Sequence, residues 1–357
     1  MFLFRQAGPD DEDAILALAS HLNTLNLAPD RRMVRELLAR SAAGFEGSRE
    51  VFRPERYLLF VLEDPHGAVV GTASIFAQHG TPERAHYYFS VDQRECSAVI
   101  SGADAAGRKL SRVLTTLTLG STERGPTEIG GLVLHPRLRS HPQKLGRLLS
   151  FSRFVVIAGL RGWFRDRVLA ELLPPLRRGK AGELQSDLWD AIGAKCTGLA
   201  YAYADALSRL DNRFLGQLFP DTPIYVELLP MAAQAVIGRV GPATEGARHL
   251  LERSGFSYCS RVDPFDGGPH LEAETDQIRT VRGSRWFQAN MGSLDEGAGT
   301  DALVARITDE APRVRVVRTL VGRPAGEAED LLVPPEAMAA LGLDDAGGRV
   351  IAAVAVS

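Results

Sequence analysis

Apolar residues in this chain form two kinds of pattern, which together predict an α+β fold. Residues 57–64 are a continuous apolar run, and a Pro-His-Gly turn joins them to a second run at 68–78, which is typical of a β-hairpin. Residues 143–158 instead repeat apolar side chains at helical spacing. Along the chain the elements follow the order β, α, α, β, β, β, α, β, α, β. This order indicates one mixed, mostly antiparallel sheet flanked by helices.

Changes of pattern along the chain predict two units. Residues 1–275 hold the elements above, with a helical insertion near 175–220 that begins in a proline-rich, basic segment. Residues 276–357 are predicted to form a small β-rich C-terminal domain, where the runs RVRVVRTL and RVIAAVAV flank a short helix. We interpret residues 85–119 as strands with an irregular connection, and IYVELL at 224–229 as a further strand.

Composition and charge narrow the class of protein. The chain has 357 residues, 45% apolar and 24% charged, with a net charge of −3, which is ordinary for a globular protein. This charge gives no reason to expect nucleic acid or a membrane as a partner, and the apolar runs are too short to span a bilayer. The N-terminus lacks the pattern of a secretion signal. The three cysteines lie far apart without metal-ligand spacing, so we expect no metal site and a cytoplasmic protein.

One basic segment stands out against the acidic chain. Residues 129–165 contain seven Lys or Arg and no Asp or Glu. A short apolar strand leads into a basic turn, and a helix then begins near Gln143 with Gly146 in its first turn. The first-turn amides of a helix lack internal partners and the helix dipole is positive there, so this arrangement favours an anion such as phosphate. The alternative is a solvated basic helix face.

The string QKLGRL at 143–148 resembles the Q/R-x-x-G-x-G/A pattern with which GNAT acyltransferases hold the pyrophosphate of coenzyme A, with Leu148 in place of the last Gly or Ala. The resemblance implies a GNAT-like sheet in which the pantetheine arm pairs with the preceding strand. It assigns that strand, the phosphate-binding turn and nearby cations to coenzyme A: Leu132, Val133, Leu134, Arg137, Gln143, Lys144, Leu145, Gly146 and Arg147.

Longer segments resemble the arginine N-succinyltransferase family. The strings YLLFVLED, EIGGLVLHP, LLSFSRF, RVLAEL, TPIYVELL, ARHLLERSGF and DPFDGGPHLEA occur in the family's order and fall within residues 57–285. The resemblance implies transfer of a succinyl group from succinyl-CoA to the α-amino group of L-arginine. Acyl-CoA would then be a co-substrate, with no permanently bound cofactor. The partners would be small molecules, acyl-CoA and an amino acid.

Two departures from the family leave the activity open. The family's proton-donor His falls on Gly241, ahead of Pro242, and the family's Leu-Thr-Ser-Leu-Pro stretch is replaced by NTLNLAP at 23–29. The first departure affects proton transfer and the second affects the choice of amine. One alternative is therefore an N-acyltransferase acting on a different amine. The other is a catalytically silent relative that binds acyl-CoA.

Candidate residues follow from the chemistry of acyl transfer. An amine must lose a proton, for which Glu128 and Glu227 are the candidates, and the amide of Val133 is a candidate for stabilising the oxyanion. For each acid the alternative is an ordinary strand-end carboxylate. Carboxylates also pair with a guanidinium group. The candidates for contact with the amine substrate are Thr24, Asn26, Asp266 and Glu272. The runs RVRVVRTL and RVIAAVAV are expected to leave an open sheet edge, which favours a homo-oligomer.

Overall fold

The computed structural model describes residues 1–20, 30–102, 105–180, 182–294, 299–309, 312–323 and 329–354. The strands are β1 Leu3–Gln6, β2 Tyr57–Glu63, β3 Val69–Phe76, β4 His86–Gly102, β5 Ala105–Thr122, β6 Thr127–Leu134, β7 Arg167–Glu171, β8 Arg177–Arg178, β9 Leu184–Gln185, β10 Ile224–Tyr225, β11 Ser257–Val262, β12 Pro269–Glu274, β13 Arg285–Met291, β14 Thr300–Ile307, β15 Val314–Val321, β16 Asp330–Val333 and β17 Gly348–Val354. The helices are α1 Glu12–Ser20, α2 Arg31–Gly44, α3 Leu145–Gly159, α4 Ala194–Thr197, α5 Tyr201–Ser208, α6 Arg213–Leu218, α7 Met231–Val236, α8 Glu245–Ser254, α9 Arg279–Gly283 and α10 Pro335–Leu341.

Fifteen of these strands form one sheet, in the order β10-β5-β4-β11-β12-β7-β6-β3-β2-β1-β15-β14-β17-β13-β16. Neighbouring strands are antiparallel except for the pairs β6–β7 and β13–β16, which are parallel. Strands β8 and β9 form a separate two-stranded sheet. The predicted α+β fold with a mixed, mostly antiparallel sheet is therefore confirmed.

Helices cover both faces of the central sheet. On β2, Tyr57 and Leu59 pack against α1 and α2, whereas Leu58 and Phe60 pack into the core that contains α3. Because both faces of β2 are buried, its sequence is continuously apolar rather than alternating. Helix α2 begins where the side chain of Asp30 accepts hydrogen bonds from the amides of its first turn.

Residues 85–119 differ from the prediction of strands with an irregular connection. They belong to a long antiparallel hairpin, β4–β5, whose pairing runs from His86↔Thr122 out to Ile100↔Arg108. The outer half of the hairpin exposes apolar side chains, including those of Val99 and Val113. Because the described side chains of this outer half share no buried face, its sequence does not show a clean period of two. The inner half packs against α4, α5 and α6, the helices of the segment predicted as a helical insertion.

The C-terminal strands continue the same sheet, because β15 pairs with β1. The prediction of open edges was wrong: RVRVVRTL forms β15, between β1 and β14, and RVIAAVAV forms β17, between β14 and β13. Their apolar content reflects burial inside the sheet. The division of the chain near residue 275 stays a prediction. Among the described residues, no helix combines the length and the hydropathy that crossing a bilayer would require.

Candidate active site

A groove of ≈ 1490 Å³ opens between β6 and β7. The two parallel strands pair through Thr127↔Val168 and Glu128↔Leu169, and they separate beyond that point. The groove is lined by β6, the turn after it, the first turn of α3, the segment after β7, and α8 with the residues just before it. The separation leaves peptide groups of β6 without a strand partner on this side, so an extended ligand can pair with them.

Strand β6 carries a bulge where it lines the groove. Thr72 of β3 pairs with Val133, and Ser74 pairs with Gly130, so Gly131 and Leu132 lie opposite the single residue between them. Gly131 has φ 55°, in the left-handed region that favours glycine. The side chain of Leu132 is 39% exposed and lines the groove. The bulge therefore turns backbone groups of β6 away from β3.

The first turn of α3 faces the same groove. The helix begins at Leu145, two residues later than predicted, because Lys144 adopts φ 52° and ψ 56° and ends the preceding turn. No side chain caps the helix. A Cβ atom on Gly146 would meet nothing within 4 Å, so a ligand can approach the backbone there. This end of the groove has the free amides and the space that an anion requires.

The charge of the lining is uneven. Of the described residues that line the groove, Glu128 and Glu171 are the only acids, and both lie where β6 and β7 meet. Cations line the rest of the groove: Arg139, Lys144, Arg147, Arg153, Arg178 and Arg253. The groove is thus basic along its length and acidic at its closed end.

Six of the residues predicted to bind the cofactor line the groove, namely Leu132, Val133, Leu134, Lys144, Gly146 and Arg147. Three others do not. Leu145 is fully buried in the core, and the carbonyl of Gln143 accepts a hydrogen bond from Arg318 Nη1 at 3.0 Å. Arg137 is exposed in the turn that follows β6, outside the lining. Sequence reasoning missed Arg139, Arg178 and Arg253, of which the last two belong to distant segments.

Arg153 is a buried cation on α3, 3% exposed, behind the bulge. Its Nη1 donates to the carbonyl of Gly130 at 3.1 Å, and its Nη2 donates to Ser150 Oγ at 3.2 Å. No described carboxylate pairs with it, and burial lowers the pKa of Arg153 to about 9. Arg153 therefore fixes the position of β6 relative to α3.

Glu128, at the acidic end, accepts a hydrogen bond from Nδ1 of His79. Burial opposes protonation of His79, but the charge and the hydrogen bond of Glu128 outweigh it and raise the pKa of His79 to about 9. His79 is therefore protonated at neutral pH, and its partner Glu128 is the residue of the two that lines the groove.

Glu171 lies at the end of β7, between two histidines. Its Oε1 is 3.4 Å from Nε2 of His86 and 3.4 Å from Nε2 of His270, without the alignment of a hydrogen bond. Burial and the charge of Glu128 raise the pKa of Glu171 to about 8, although His79 opposes the shift. Burial lowers the pKa of His270 to about 3 and that of His86 well below its usual range, so both rings are neutral. No local sequence pattern predicts this cluster, because its residues come from four separate strands and turns.

Residues 263–268 form a tight turn. Asp263 Oδ1 accepts from the amides of Phe265 and Asp266, and Gly267 has φ 83°. Burial raises the pKa of Asp263 to about 6. Burial and the neighbouring Asp263 raise the pKa of Asp266 well above its usual range. Asp266 bonds to the amide of Gly268 within the turn and does not line the groove.

The remaining predicted residues are not brought to the groove. Glu272 pairs with Arg167 at 2.7 Å and borders a different, smaller cavity. Glu227 is exposed and accepts from the amide of Thr115 at 2.7 Å. The strand predicted at 224–229 ends at Tyr225, and Glu227 lies in the 3₁₀ turn that follows it. Thr24 and Asn26 lie outside the described residues.

Gly241 lines the groove but has no room for a side chain. Its N–H donates to the carbonyl of Leu173 at 2.8 Å. A Cβ atom there would lie 2.7 Å from the carbonyl oxygen of Pro174 and 3.0 Å from its carbon. Substitution of a histidine at this position would require the backbone to move.

Comparison with known proteins identifies the family. The family model described as "Arginine N-succinyltransferase beta subunit" matches residues 2–280. The chain belongs to the arginine N-succinyltransferase family. The predicted family and the prediction of an acyl-CoA-dependent N-acyltransferase are thereby confirmed.

Similar members support the arginine N-succinyltransferase assignment over most of the chain. The arginine N-succinyltransferase of Escherichia coli O6:H1 is 32% identical over 324 residues, 89% of each chain. The arginine N-succinyltransferase subunit beta of Pseudomonas aeruginosa is 34% identical over 292 residues, 81% of each chain. The solved structure of arginine/ornithine succinyltransferase subunit AI from Pseudomonas aeruginosa matches with a TM-score of 0.79 and 27% identity, covering 100% of this chain and 99% of the other.

Proposed function

We propose that this chain transfers an acyl group, most simply succinyl, from acyl-CoA to the α-amino group of an amino acid, most simply L-arginine. The observation that carries the proposal is the groove between β6 and β7, with free helix amides and cations along it and two carboxylates at its closed end. Membership of the family supports the same reaction.

The proposed donor matches the charge of the groove. The pyrophosphate of coenzyme A would lie at the first turn of α3, near Lys144 and Arg147. Its pantetheine arm would pair with β6 at the bulge. This orientation would bring the thioester towards Glu128, where β6 and β7 come together. The cations beyond α3, Arg178 and Arg253, suit further phosphate of the nucleotide.

In the proposed reaction the amine nitrogen attacks the thioester carbonyl, and a bond forms between nitrogen and carbon while the bond between carbon and sulfur breaks. Glu128 accepts the amine proton, directly or through one water, and His79 holds the carboxylate in place. An amide of the bulge, such as that of Val133, stabilises the oxyanion. Coenzyme A leaves as the thiolate. Holding two bound substrates together supplies up to about 7–11 kcal/mol of the barrier, so a single missing histidine need not abolish turnover.

The acceptor is proposed from the charge of the closed end. A cationic amino acid is placed at the Glu128 end of the groove, since the charged lining elsewhere is basic and the raised pKa of Glu171 leaves that carboxyl largely protonated at neutral pH. A guanidinium group pairs well with carboxylates. The names of the similar proteins from Escherichia coli and Pseudomonas aeruginosa also point to arginine, or to arginine and ornithine.

The test measures release of free thiol from succinyl-CoA with and without L-arginine, followed by mass analysis of the product. We expect Glu128→Gln to lower kcat by about 10²–10⁴-fold, the range for loss of a general base, and to leave coenzyme A binding intact. Glu227→Gln is the matched control, because this acid lies outside the groove and should leave kcat within about twofold. Equal kcat values for the two variants would contradict the role given to Glu128.

The two alternatives predict different outcomes of the same assay. If another amino acid in a panel gives faster thiol release than arginine, the chain is an N-acyltransferase with that amino acid as its acceptor. If coenzyme A binds but no amine raises thiol release, the chain is a silent acyl-CoA-binding relative. The absence of a side chain at Gly241 motivates this second reading.

We also propose that the chain assembles with a second copy. Strands β15 and β17 lie inside the sheet, so they offer no open edge to a second copy. What supports assembly is that the similar proteins of Pseudomonas aeruginosa are described as subunits. Light scattering of the purified chain measures the assembly directly, and a monomer at micromolar concentration would reject a homo-oligomer.

A further inference from the structure

A cluster of histidine and carboxylate side chains lies behind the acidic end of the groove, and the acyl-transfer proposal does not use all of it. His79, His86 and Glu171 each bring one coordinating atom to within 4.8 Å of the other two. We propose that these three residues bind a divalent transition-metal ion, with Zn²⁺ as the reference ion.

The separation of the atoms fits such an ion. Nε2 of His86 and Oε1 of Glu171 are 3.4 Å apart, and neither has a hydrogen-bond partner among the described residues. Ligands at about 2.0–2.1 Å from a tetrahedral Zn²⁺ lie about 3.3–3.4 Å from one another. His86 is 8% exposed, so its free ring nitrogen points at Glu171 in a buried place. A buried polar atom without a partner costs free energy, which a bound ion would remove.

His79 is already held as metal-binding histidines usually are. Its Nδ1 donates to Glu128, and a metal ion that binds Nε2 would displace the proton from that nitrogen. Its backbone is fixed as well, because its N–H donates to Pro126 at 2.8 Å and its carbonyl accepts from Gly125 at 2.9 Å. The rings of His79 and His86 are in edge-to-face contact, with centroids 3.8 Å apart. The ligands are thus positioned before an ion arrives.

The ligand set selects the kind of ion. Two imidazoles and one carboxylate suit Zn²⁺, Co²⁺ or Fe²⁺, whereas Mg²⁺ prefers oxygen ligands. A second set, Glu171, Asp263 and His270, shares Glu171. It is the weaker candidate, because Asp263 already accepts two amides of its own turn. Three protein ligands leave a tetrahedral ion one position for water or a small ligand.

The experiment uses the full chain without a histidine tag, stripped with a chelator and titrated with Zn²⁺ alone by calorimetry. We expect one Zn²⁺ per chain, and Co²⁺ in its place should give the visible absorption of a tetrahedral site. His86→Ala and His79→Ala should each weaken binding by at least about 100-fold. Glu128→Gln should weaken it by about 10–100-fold, the usual effect of losing the partner of a metal-bound histidine. His66→Ala, at an exposed turn, is the matched control and should change nothing.

His270→Ala separates the two sets, since it should leave Zn²⁺ affinity unchanged if the first set is the site. The proposal is overturned if Zn²⁺ does not saturate, if it binds equally well to His86→Ala, or if His270→Ala loses binding while His79→Ala keeps it. If His86→Ala does not fold by circular dichroism, Glu171→Gln replaces it, because this change keeps the size of the side chain. The titration contains neither coenzyme A nor amine, so its result is independent of the acyl-transfer assay.

Discussion

The bulge of β6 gives a prediction whose size can be worked from the structure. Replacing Gly131 with Ala puts a Cβ atom on a residue at φ 55°, 2.7 Å from Ser74 Oγ and 3.3 Å from Ser74 Cβ. The left-handed conformation costs a residue with a side chain about 1–2 kcal/mol. The contact with buried Ser74 adds about 1–3 kcal/mol, as for other overpacked sites. We therefore expect Gly131→Ala to lower the free energy of unfolding by about 2–5 kcal/mol.

Gly67 supplies a matched control. It has φ 85°, and a Cβ atom there would meet nothing within 4 Å. Gly67→Ala thus measures the backbone strain alone, about 1–2 kcal/mol. Ser74→Ala in the Gly131→Ala background removes the closest atom, so the double variant should regain most of the difference between the two glycine variants. The single variant Ser74→Ala completes the double-mutant cycle between residues 131 and 74.

The assay is urea unfolding of all variants, with coenzyme A affinity measured on the folded proteins. Because Gly131 shapes the strand that would pair with the pantetheine arm, Gly131→Ala should also weaken coenzyme A binding, whereas Gly67→Ala should not. Equal unfolding free energies for the two glycine variants would refute the steric reasoning. Unchanged coenzyme A affinity in Gly131→Ala would refute the role of the bulge in the groove.

Further predictions concern three other positions. Arg153→Met leaves the carbonyl of Gly130 without its hydrogen-bond donor, so the free energy of unfolding should fall by about 1–3 kcal/mol. Urea titration measures this change. An unchanged free energy of unfolding would show that water replaces the guanidinium. Burial and the charge of Glu272 raise the pKa of the Cys259 thiol to about 12. The rate of its reaction with a thiol reagent should therefore be low at pH 8 and increase about tenfold per pH unit up to pH 11. The variant Cys259→Ser gives the background rate of the other cysteines. Rapid labelling at pH 8 would contradict this. Gly241→Ala should lower Tm without raising turnover, because its Cβ meets the carbonyl of Pro174, and a gain in activity would argue against that contact.

The local pattern of apolar residues predicted much of the fold, but it did not predict which side chains from distant strands meet at the site. The apolar run at β2 and the helical spacing of α3 are visible in the sequence because burial there has a simple period. The register that brings His86 and His270 to Glu171 depends on the pairing of β4 with β11, of β11 with β12 and of β12 with β7, where β4 and β7 lie far from β11 and β12 in the chain. Isolated histidines in such strands have no local signature.

The residues that line the groove also differ in whether a local sequence motif predicts them. The turn before α3 was predicted from Gly146 and its basic neighbours, which are close together in sequence. Arg178 and Arg253 reach the groove through the long segment after β7 and through α8, so their contribution depends on packing that no short motif reports. Glu227 was predicted from the alternation of a strand that ends two residues before it.

The hydrogen bond from Arg318 to the carbonyl of Gln143 has a consequence for how the chain may be shortened. The match to the family model ends at residue 280 of this chain. Yet Arg318 of β15 braces the turn that precedes α3, and Ile307 and Ile351 lie in the same core as that helix. A fragment trimmed to the residues that match the family model would keep every candidate reactive group and lose the scaffold that holds the basic end of the groove in shape.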